Sequence, residues 1–322
     1  MEDFLWDEFG WFIVYHFSMI DFIGDVHGHA DKLEELLGKL GYQHHGRFYA
    51  HPTRKAFFVG DYIDRGPQIR ETLILVKAMV DSGNATALLG NHEYNALCFH
   101  IQETIRGGHL RKHLIKNIIQ HYETLRQFQN RQDEYEGWLD WFKTLPLFYE
   151  STYFRAVHAC WEGESIGVLK ELMPENKLTD DLIRESAVKG SPLYNAIDII
   201  LKGKEIKLPA GQFFKDKDGA IRNETRIKWW EDYLNTTYRQ ISIEPHEELF
   251  EEPIDETLLK GFKWYQADNI PVFFGHYWLQ GNPMLYKDNI CCVDYSIAKQ
   301  GYLAAYRFDG ESKLEADKFV YV

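Results

Sequence analysis

The chain has 322 residues, of which 45% are hydrophobic, and its formal net charge at pH 7 is −13. This length and composition fit one large α/β domain with a substantial core. The negative charge argues against an extended nucleic-acid footprint, because binding to a duplex backbone needs a basic surface. A small phosphorylated ligand remains compatible, since bound metal ions reverse the local sign of the charge.

The N-terminal residues are partly apolar but begin with an acidic segment. Glu2 and Asp3 precede an apolar run at residues 9–20, whereas a signal peptide begins with a positive region. The run is also too short to span a bilayer. We therefore expect residues 1–18 to be an extension, residues 19–322 to form a single domain, and the protein to be cytoplasmic.

The cysteines do not suggest a disulfide framework. No CxxC spacing occurs, and Cys291 and Cys292 are adjacent. Disulfide scaffolds are typical of small secreted domains, which this chain is not. We interpret the cysteines as reduced and mostly buried thiols.

Strand-like and helix-like segments alternate between residues 19 and 89. Apolar patterns predict strands at 19–23, 55–59 and 85–89 and helices at 30–40 and 68–82. This alternation predicts βαβ units around a parallel sheet, in an α/β or α+β fold.

The rest of the chain is less regular. We expect helical insertions near residues 95–150 and 160–270, with a strand at 154–157 between them. Strands at 271–274, 290–294 and 302–308 are rich in β-branched and aromatic residues and are joined by short polar turns. These late strands suggest an antiparallel part of the sheet.

Three polar motifs begin where predicted strands end. They are Gly24-Asp25-Val26-His27-Gly28, Gly60-Asp61-Tyr62-Ile63-Asp64-Arg65-Gly66 and Gly90-Asn91-His92-Glu93. Open α/β sheets bind ligands at the carboxyl ends of their strands. The motifs therefore indicate a site at that edge.

The polar side chains of these motifs are of metal-ligating types. Two further imidazoles each follow a predicted strand. We expect one metal ion to be held by Asp25, His27 and Asp61, and a second by Asp61, Asn91, His158 and His276. Nitrogen and oxygen ligands without thiolate fit Mn²⁺, Fe or Zn²⁺. Two such divalent ions can hold a phosphoryl group, and Mn²⁺ is our first choice.

Three more motif residues have types that suit catalysis of phosphate transfer. The guanidinium of Arg65 can bind two phosphate oxygens. His92 is placed to protonate the leaving oxygen, and Asp64 to orient the ring of His92. We therefore assign catalytic roles to His92, Asp64 and Arg65.

Together the motifs resemble the calcineurin-like metallophosphoesterases, in particular the phosphoprotein phosphatase branch. The resemblance covers roughly residues 19–160 and 270–310. It implies a two-layer mixed β-sandwich flanked by helices, a dinuclear metal centre, and attack by metal-bound hydroxide on a phosphate monoester. It also implies a second phosphate-binding arginine, for which Arg222 and Arg226 are the candidates and Arg226 is our choice.

Several departures from the family pattern affect the predicted substrate. Ala159 and Cys160, Tyr277 and Leu89 stand where the phosphoprotein phosphatases usually carry other residues, which favours a bacterial type. Asp64 and Glu93 favour a serine/threonine protein phosphatase, with activity on phosphopeptides above that on diadenosine tetraphosphate. The alternatives are a symmetrical dinucleoside tetraphosphatase and a non-catalytic phospho-ligand binding module.

Overall fold

Two β-sheets carry the strands that end at the motifs. The structure, a computed structural model, describes residues 2–6, 12–16, 19–103, 107–215, 221–234, 236–244, 249 and 251–322. The strands are β1 (Glu2–Trp6), β2 (Phe12–His16), β3 (Met19–Ile23), β4 (Gln43–His45), β5 (Phe48–Ala50), β6 (Arg54–Phe58), β7 (Ala85–Ala87), β8 (Phe148–Glu150), β9 (Arg155–Val157), β10 (Glu205–Lys207), β11 (Phe214–Lys215), β12 (Ile221–Arg222), β13 (Glu224–Arg226), β14 (Val272–Phe274), β15 (Ile290–Cys292), β16 (Asp294–Tyr295), β17 (Tyr302–Phe308) and β18 (Phe319–Tyr321).

The helices lie mainly between residues 30 and 202. They are α1 (Ala30–Leu40), α2 (Ile69–Asp81), α3 (Asn91–His100), α4 (Ile115–Gln127), α5 (Gln132–Thr144), α6 (Gly163–Leu172), α7 (Asp180–Ser186), α8 (Pro192–Lys202) and α9 (Tyr238–Ile241). Short 3₁₀ helices span Glu256–Leu259, Ile297–Lys299 and Ala316–Lys318. Among the described residues, the helices are too short or too polar to cross a membrane.

The sheets have a mixed topology. The first has the order β16-β17-β3-β6-β7, with β18 also paired to β17, and the second has the order β15-β14-β9-β8. Strands β3, β6 and β7 run parallel, and so do β9, β14 and β15. Because parallel strands end at the same edge, the residues that follow them are brought together.

The two sheets pack face to face through an aromatic core. Side chains alternate between the faces of a strand, so Phe22 and Phe273 point between the sheets while their neighbours Ile23 and Phe274 belong to the larger hydrophobic cluster on the outer faces. Phe274 contacts Trp229 and Trp230 there. The rings of Phe22 and Phe273 stack with centroids 3.6 Å apart. The predicted two-layer mixed β-sandwich flanked by helices is confirmed.

Helix α1 shows how the local sequence sets these outer layers. Leu33, Leu36, Leu37 and Leu40 form its buried face, with the spacing that places side chains on one side of a helix. The helix ends at Gly41, which has a φ of 92° and so terminates it in the left-handed conformation that glycine favours.

Two expectations about the later chain need correction. Residues 163–202 of the middle insertion contain the helices α6, α7 and α8. From Gly203 onward the insertion consists mainly of short strands and irregular loops. Gly203, Pro209 and Gly211 lie in this region and oppose helix continuation. The late strands are also not uniformly antiparallel. Strands β14 and β15 are parallel and buried, whereas β17 pairs antiparallel with β3 as expected.

The N-terminal residues lie partly outside the described residues. Within them, the backbones of β1 and β2 pair antiparallel. The division into an extension at 1–18 and a single domain at 19–322 stays a prediction. The expectation for the cysteines agrees with the structure, in which all four are buried thiols.

A buried arginine joins β3, β6 and the end of β17. The Arg54 side chain is 6% exposed, and its Nε donates to Asp21 at 2.9 Å while its Nη1 donates to Asp309 at 2.5 Å. The same guanidinium donates to the carbonyls of Ile20 and Phe308. It therefore satisfies polar groups at the edge of the sheet opposite the motifs.

Replacing Arg54 should destabilise the sandwich. We expect Arg54→Met to lower the free energy of unfolding by about 3 kcal/mol, because a buried pair that loses one partner leaves an uncompensated charge. Urea denaturation measures this change. The control is Arg131→Ala, which removes the exposed 3.5 Å contact with Glu134 and should cost less than about 1 kcal/mol. Equal losses in the two variants would contradict the role given to Arg54.

Candidate metal and phosphate site

The sequence-predicted ligands meet at one edge of the two sheets. Asp25 and His27 follow β3, and Asp61 follows β6. Asn91 begins α3 just after β7, while His158 and His276 follow β9 and β14. All six side chains are at most 7% exposed. The structure thus brings together every residue that we expected to hold metal.

Several of these residues have an unusual backbone conformation. His27, Asp61 and His276 have φ angles of 46°, 56° and 74°, in the left-handed region that non-glycine residues rarely occupy. Such strain persists where the surrounding structure imposes it, and it concentrates at functional sites.

Glycines in the motifs make room for the carboxylates. A Cβ atom at Gly90 would lie 2.2 Å from Oδ1 of Asp61, and one at Gly275 would lie 2.1 Å from Oδ1 of Asp25. Neither distance is possible between non-bonded atoms. The glycines are therefore required by the close approach of these side chains rather than by turn geometry alone.

Two groups of potential ligand atoms share Asp61. The donor atoms of His27, Asp61 and His92 lie within 4.8 Å of one another, and so do those of Asp61, His158 and His276. Nε2 of His27 lies 3.7 Å from Oδ2 of Asp61, and Nε2 of His158 lies 3.5 Å from Oδ1. The two oxygens of one carboxylate thus face different imidazoles.

Asn91 and Asp25 connect to these groups. The side-chain oxygen of Asn91 lies 3.0 Å from Nε2 of His158 and 2.7 Å from Nδ1 of His276. Oδ2 of Asp25 accepts from the backbone N–H of His276 at 3.0 Å. Asp25 belongs to neither of the two tight groups, although we expected it to share one with His27 and Asp61.

The residues present fit divalent cations. Oδ1 of Asp25, Nε2 of His27, Oδ2 of Asp61 and Nε2 of His276 are buried and have no hydrogen-bond partner within the described part of the chain. Leaving buried polar atoms without a partner costs free energy. Their convergence at one place is the arrangement that a pair of cations would satisfy.

Hydrogen bonds fix the orientation of two of the imidazoles. Nδ1 of His27 donates to the carbonyl of Ile63 at 2.9 Å, and Nδ1 of His158 donates to the carbonyl of Val59 at 2.8 Å. A ring that donates through Nδ1 presents Nε2 as its lone-pair nitrogen. Both Nε2 atoms face Asp61, so both rings are oriented as metal ligands.

The titration behaviour of the site agrees with cation binding. Burial, together with the nearby His92, lowers the pKa of His27 to about 4, which keeps its imidazole neutral. Burial and the negative charges of Asp294 and Asp61 raise the pKa of Asp25 well above its usual range. Crowded buried carboxylates repel one another, and positive ions would relieve that repulsion.

His92 belongs to a buried acid–base network. Its Nδ1 lies 2.5 Å from Oδ2 of Asp64. Oδ1 of Asp64 accepts from Nδ1 of His121 at 2.8 Å and from the hydroxyl of Thr124 at 2.6 Å. The hydroxyl of Tyr135 lies 2.8 Å from Nε2 of His121. The network anchors Asp64 on helices α4 and α5, and Asp64 in turn orients His92.

The charges of this network favour a protonated His92. Burial lowers the pKa of an imidazole, but the negative charges of Asp61 and Asp64 outweigh it, and the pKa of His92 is raised. Burial would raise the pKa of Asp64, yet hydrogen bonds from His121 and His92 hold that pKa below its usual value. An ionised Asp64 beside a protonated His92 is the state expected of a general acid.

The two arginines act on different histidines of the site. Arg65 is exposed, has a φ of 67° and lies close enough to His92 to affect its pKa. Arg226 is exposed in β13, where it pairs with Glu205. Burial lowers the pKa of His276 well below its usual value, and the nearby positive charge of Arg226 lowers it further. Both guanidinium groups are thus near the candidate metal ligands.

Sequence reasoning missed several residues of the site. His121 and Thr124 lie on α4, about thirty residues after the third motif, and no motif marks them. The sequence analysis uses Glu93 only to predict the substrate, but its carboxylate accepts from the backbone N–H groups of Asp61, Tyr62, Ile63 and Gly90. Asp294 follows β15 at the same sheet edge. This position after a strand could have identified Asp294 as a residue of the site.

The sequence model of the calcineurin-like phosphoesterases matches residues 19–208. The chain is 30% identical over 177 residues to the asymmetrical bis(5'-nucleosyl)-tetraphosphatase PrpE of Halalkalibacterium halodurans, covering 54% of this chain and 70% of that protein. It is 30% identical over 171 residues to a symmetrical bis(5'-nucleosyl)-tetraphosphatase of Marinomonas sp., covering 51% of this chain and 53% of that protein.

Similarity to solved structures extends over more of the chain at lower identity. One such structure is a protein serine/threonine phosphatase from Saccharomyces cerevisiae, with a TM-score of 0.47 and 13% identity. The similarity covers 95% of this chain and 79% of that one.

The close approach of Gly90 to Asp61 gives a test in which none of the ligand residues is substituted. We expect Gly90→Ala to weaken Mn²⁺ binding at least about ten-fold, because the added methyl group must displace the shared carboxylate and a ten-fold loss needs only about 1.4 kcal/mol. Titration calorimetry with Mn²⁺ measures the affinity. The matched control is Gly38→Ala, where an added Cβ meets nothing within 4 Å. Unchanged affinity in Gly90→Ala would contradict the role of Asp61.

Proposed function

Because the chain belongs to the calcineurin-like phosphoesterase family, we propose that it is a hydrolase of dinucleoside polyphosphates that uses two divalent metal ions. Members of the family are metal-dependent phosphoesterases, so the class of reaction follows from membership. The residues that hold the ions, the identity of the ions and the substrate are our proposals.

The observation that carries the proposal is the set of buried atoms without partners at the sheet edge. Asp61 is shared between His27 on one side and His158 and His276 on the other. We assign Asp25, His27 and Asp61 to one ion and Asp61, Asn91, His158 and His276 to the second. Mn²⁺ fits these nitrogen and oxygen ligands and is our first choice.

Bound divalent ions supply Lewis-acid activation of the phosphate and of a water nucleophile. The protein side chains supply the remaining functions. Arg65 and Arg226 provide guanidinium groups near His92 and His276, and a guanidinium binds phosphate oxygens through paired hydrogen bonds. We assign them to holding the phosphate in place.

His92 is the proposed general acid. Asp64 accepts from its Nδ1, so the other nitrogen, Nε2, carries the proton that is given to the leaving oxygen. That nitrogen lies 3.9 Å from Oδ2 of Asp61, and its nearness to a proposed metal ligand supports this role. His121 and Thr124 act indirectly, by fixing Asp64.

The substrate class rests on the relatives. Two curated relatives at 30% identity carry the name of tetraphosphatases, one asymmetrical and one symmetrical. A serine/threonine protein phosphatase is the second candidate, favoured by Asp64 in the second motif. Glu93 in the third motif also favours it, and its carboxylate accepts from four backbone N–H groups of the fold.

Removing the proposed general acid should separate catalysis from metal binding. We expect His92→Asn to bind two equivalents of Mn²⁺ and to lower kcat by about 10²–10⁴-fold, the usual contribution of one acid–base group. Stopped assays with p-nitrophenyl phosphate or diadenosine tetraphosphate measure kcat. His44→Asn, at an exposed position in β4, is the control. A near-normal rate in His92→Asn would show that another group protonates the leaving oxygen.

The two candidate substrates can be ranked directly. We expect kcat/KM for diadenosine tetraphosphate to exceed that for phosphoserine and phosphothreonine peptides when both are measured with the Mn²⁺-loaded enzyme. This order reverses the one that the motifs alone favoured. A higher value for the peptides would instead support the protein phosphatase.

A further inference from the structure

A half-buried tryptophan lies beside the site with two cations on its ring. The Trp278 ring centroid is 5.7 Å from that of His27. The guanidinium carbon of Arg65 lies 5.2 Å from the centroid of Trp278, and Nζ of Lys299 lies 4.1 Å from it. One indole therefore links the candidate metal ligands to two positively charged side chains.

The backbone around Trp278 is strained and held by a buried carboxylate. Trp278 has a φ of 53°, an outlier for a bulky residue. Its backbone N–H donates to Oδ2 of Asp294 at 2.6 Å, and Oδ1 of Asp294 accepts from the backbone N–H of Ser296 at 3.0 Å. Asp294 is 2% exposed. Strain that is maintained in this way points to a functional position.

The same carboxylate also places Lys299. Ser296 has a φ of 61° and precedes the 3₁₀ turn Ile297–Lys299. The backbone N–H of Lys299 donates to the carbonyl of Ser296 at 2.7 Å. Asp294 thus fixes both the segment that carries the indole and the turn that carries the ammonium group. The juxtaposition of Trp278 and Lys299 is built into the fold.

We propose that Trp278, Lys299 and Arg65 form a polyphosphate subsite, in which Lys299 binds a phosphate group beyond the one that is cleaved. The proposal rests on the proposed phosphoesterase function and extends it to the choice of substrate. A cation held against an aromatic face loses less freedom on binding an anion. The protein has a net charge of −13, so cations at the site steer a polyanion there.

The subsite distinguishes substrates by the length of their phosphate chain. A phosphoserine side chain has one phosphate, which the metal ligands and the arginines can hold. A dinucleoside polyphosphate or free inorganic polyphosphate has further phosphates that extend past Arg65 towards Lys299. Lys299 therefore favours polyphosphates over monoesters, whichever of the two polyphosphate sources is used.

Activity assays with two substrates test the subsite. We expect Lys299→Ala to lower the ratio of kcat/KM for diadenosine tetraphosphate to that for p-nitrophenyl phosphate by about ten-fold, mainly through KM, as loss of a charge-assisted contact implies. Trp278→Leu should change the ratio in the same direction. Lys313→Ala, at a lysine that is 80% exposed and lines no part of the site, should leave the ratio unchanged.

Calorimetry with inorganic tripolyphosphate provides a readout that does not depend on turnover. We expect Lys299→Ala to weaken tripolyphosphate binding to the Mn²⁺-loaded protein about ten-fold and orthophosphate binding much less. If Lys299→Ala changes the kinetics with diadenosine tetraphosphate but leaves tripolyphosphate binding unchanged, the subsite binds dinucleotides rather than free polyphosphate. If Lys299→Ala leaves both the ratio of the kcat/KM values and tripolyphosphate binding unchanged, the proposal is overturned. A wild-type protein that binds tripolyphosphate through Lys299 but hydrolyses neither substrate would overturn the proposed function and leave the subsite standing.

Discussion

The buried carboxylate of Glu93 holds the second and third motifs together, and the geometry of the site depends on it. It accepts from the backbone N–H groups of Asp61, Tyr62 and Ile63 and from that of Gly90, at 2.8–3.2 Å. Buried backbone donors are rarely left unpaired, so the carboxylate is held to all four N–H groups by these hydrogen bonds. They fix the left-handed backbone of Asp61 relative to the start of α3. One side chain thus determines where the shared carboxylate and Asn91 lie.

The site gathers groups that would destabilise a protein without cations. Asp25, Asp61 and Asp294 are buried at the same sheet edge, and the negative charges of Asp294 and Asp61 raise the pKa of Asp25. The aromatic core between the sheets and the Arg54 network at the opposite edge offset this cost. Divalent ions that neutralise the carboxylates would therefore stabilise the folded state as well as activate the substrate.

Much of the architecture could be predicted from the sequence, because strand periodicity and motif position are local signals. The strand at residues 19–23 and the helix at 30–40 have the predicted bounds, and the six expected ligands converge. His121 and Trp278 could not be found in this way. Their roles depend on contacts with Asp64 and Lys299 that only the folded chain creates. The irregular segment after Gly203 was also missed, since its charged composition resembles that of an exposed helix.

The central claim is that two metal ions share the carboxylate of Asp61. Crystals of the Mn²⁺-loaded protein, measured at an X-ray wavelength where manganese scatters anomalously, test this most directly. We expect two anomalous peaks on either side of Asp61, one beside His27 and the other between His158 and His276. A single peak, or peaks that do not contact Asp61, would contradict it.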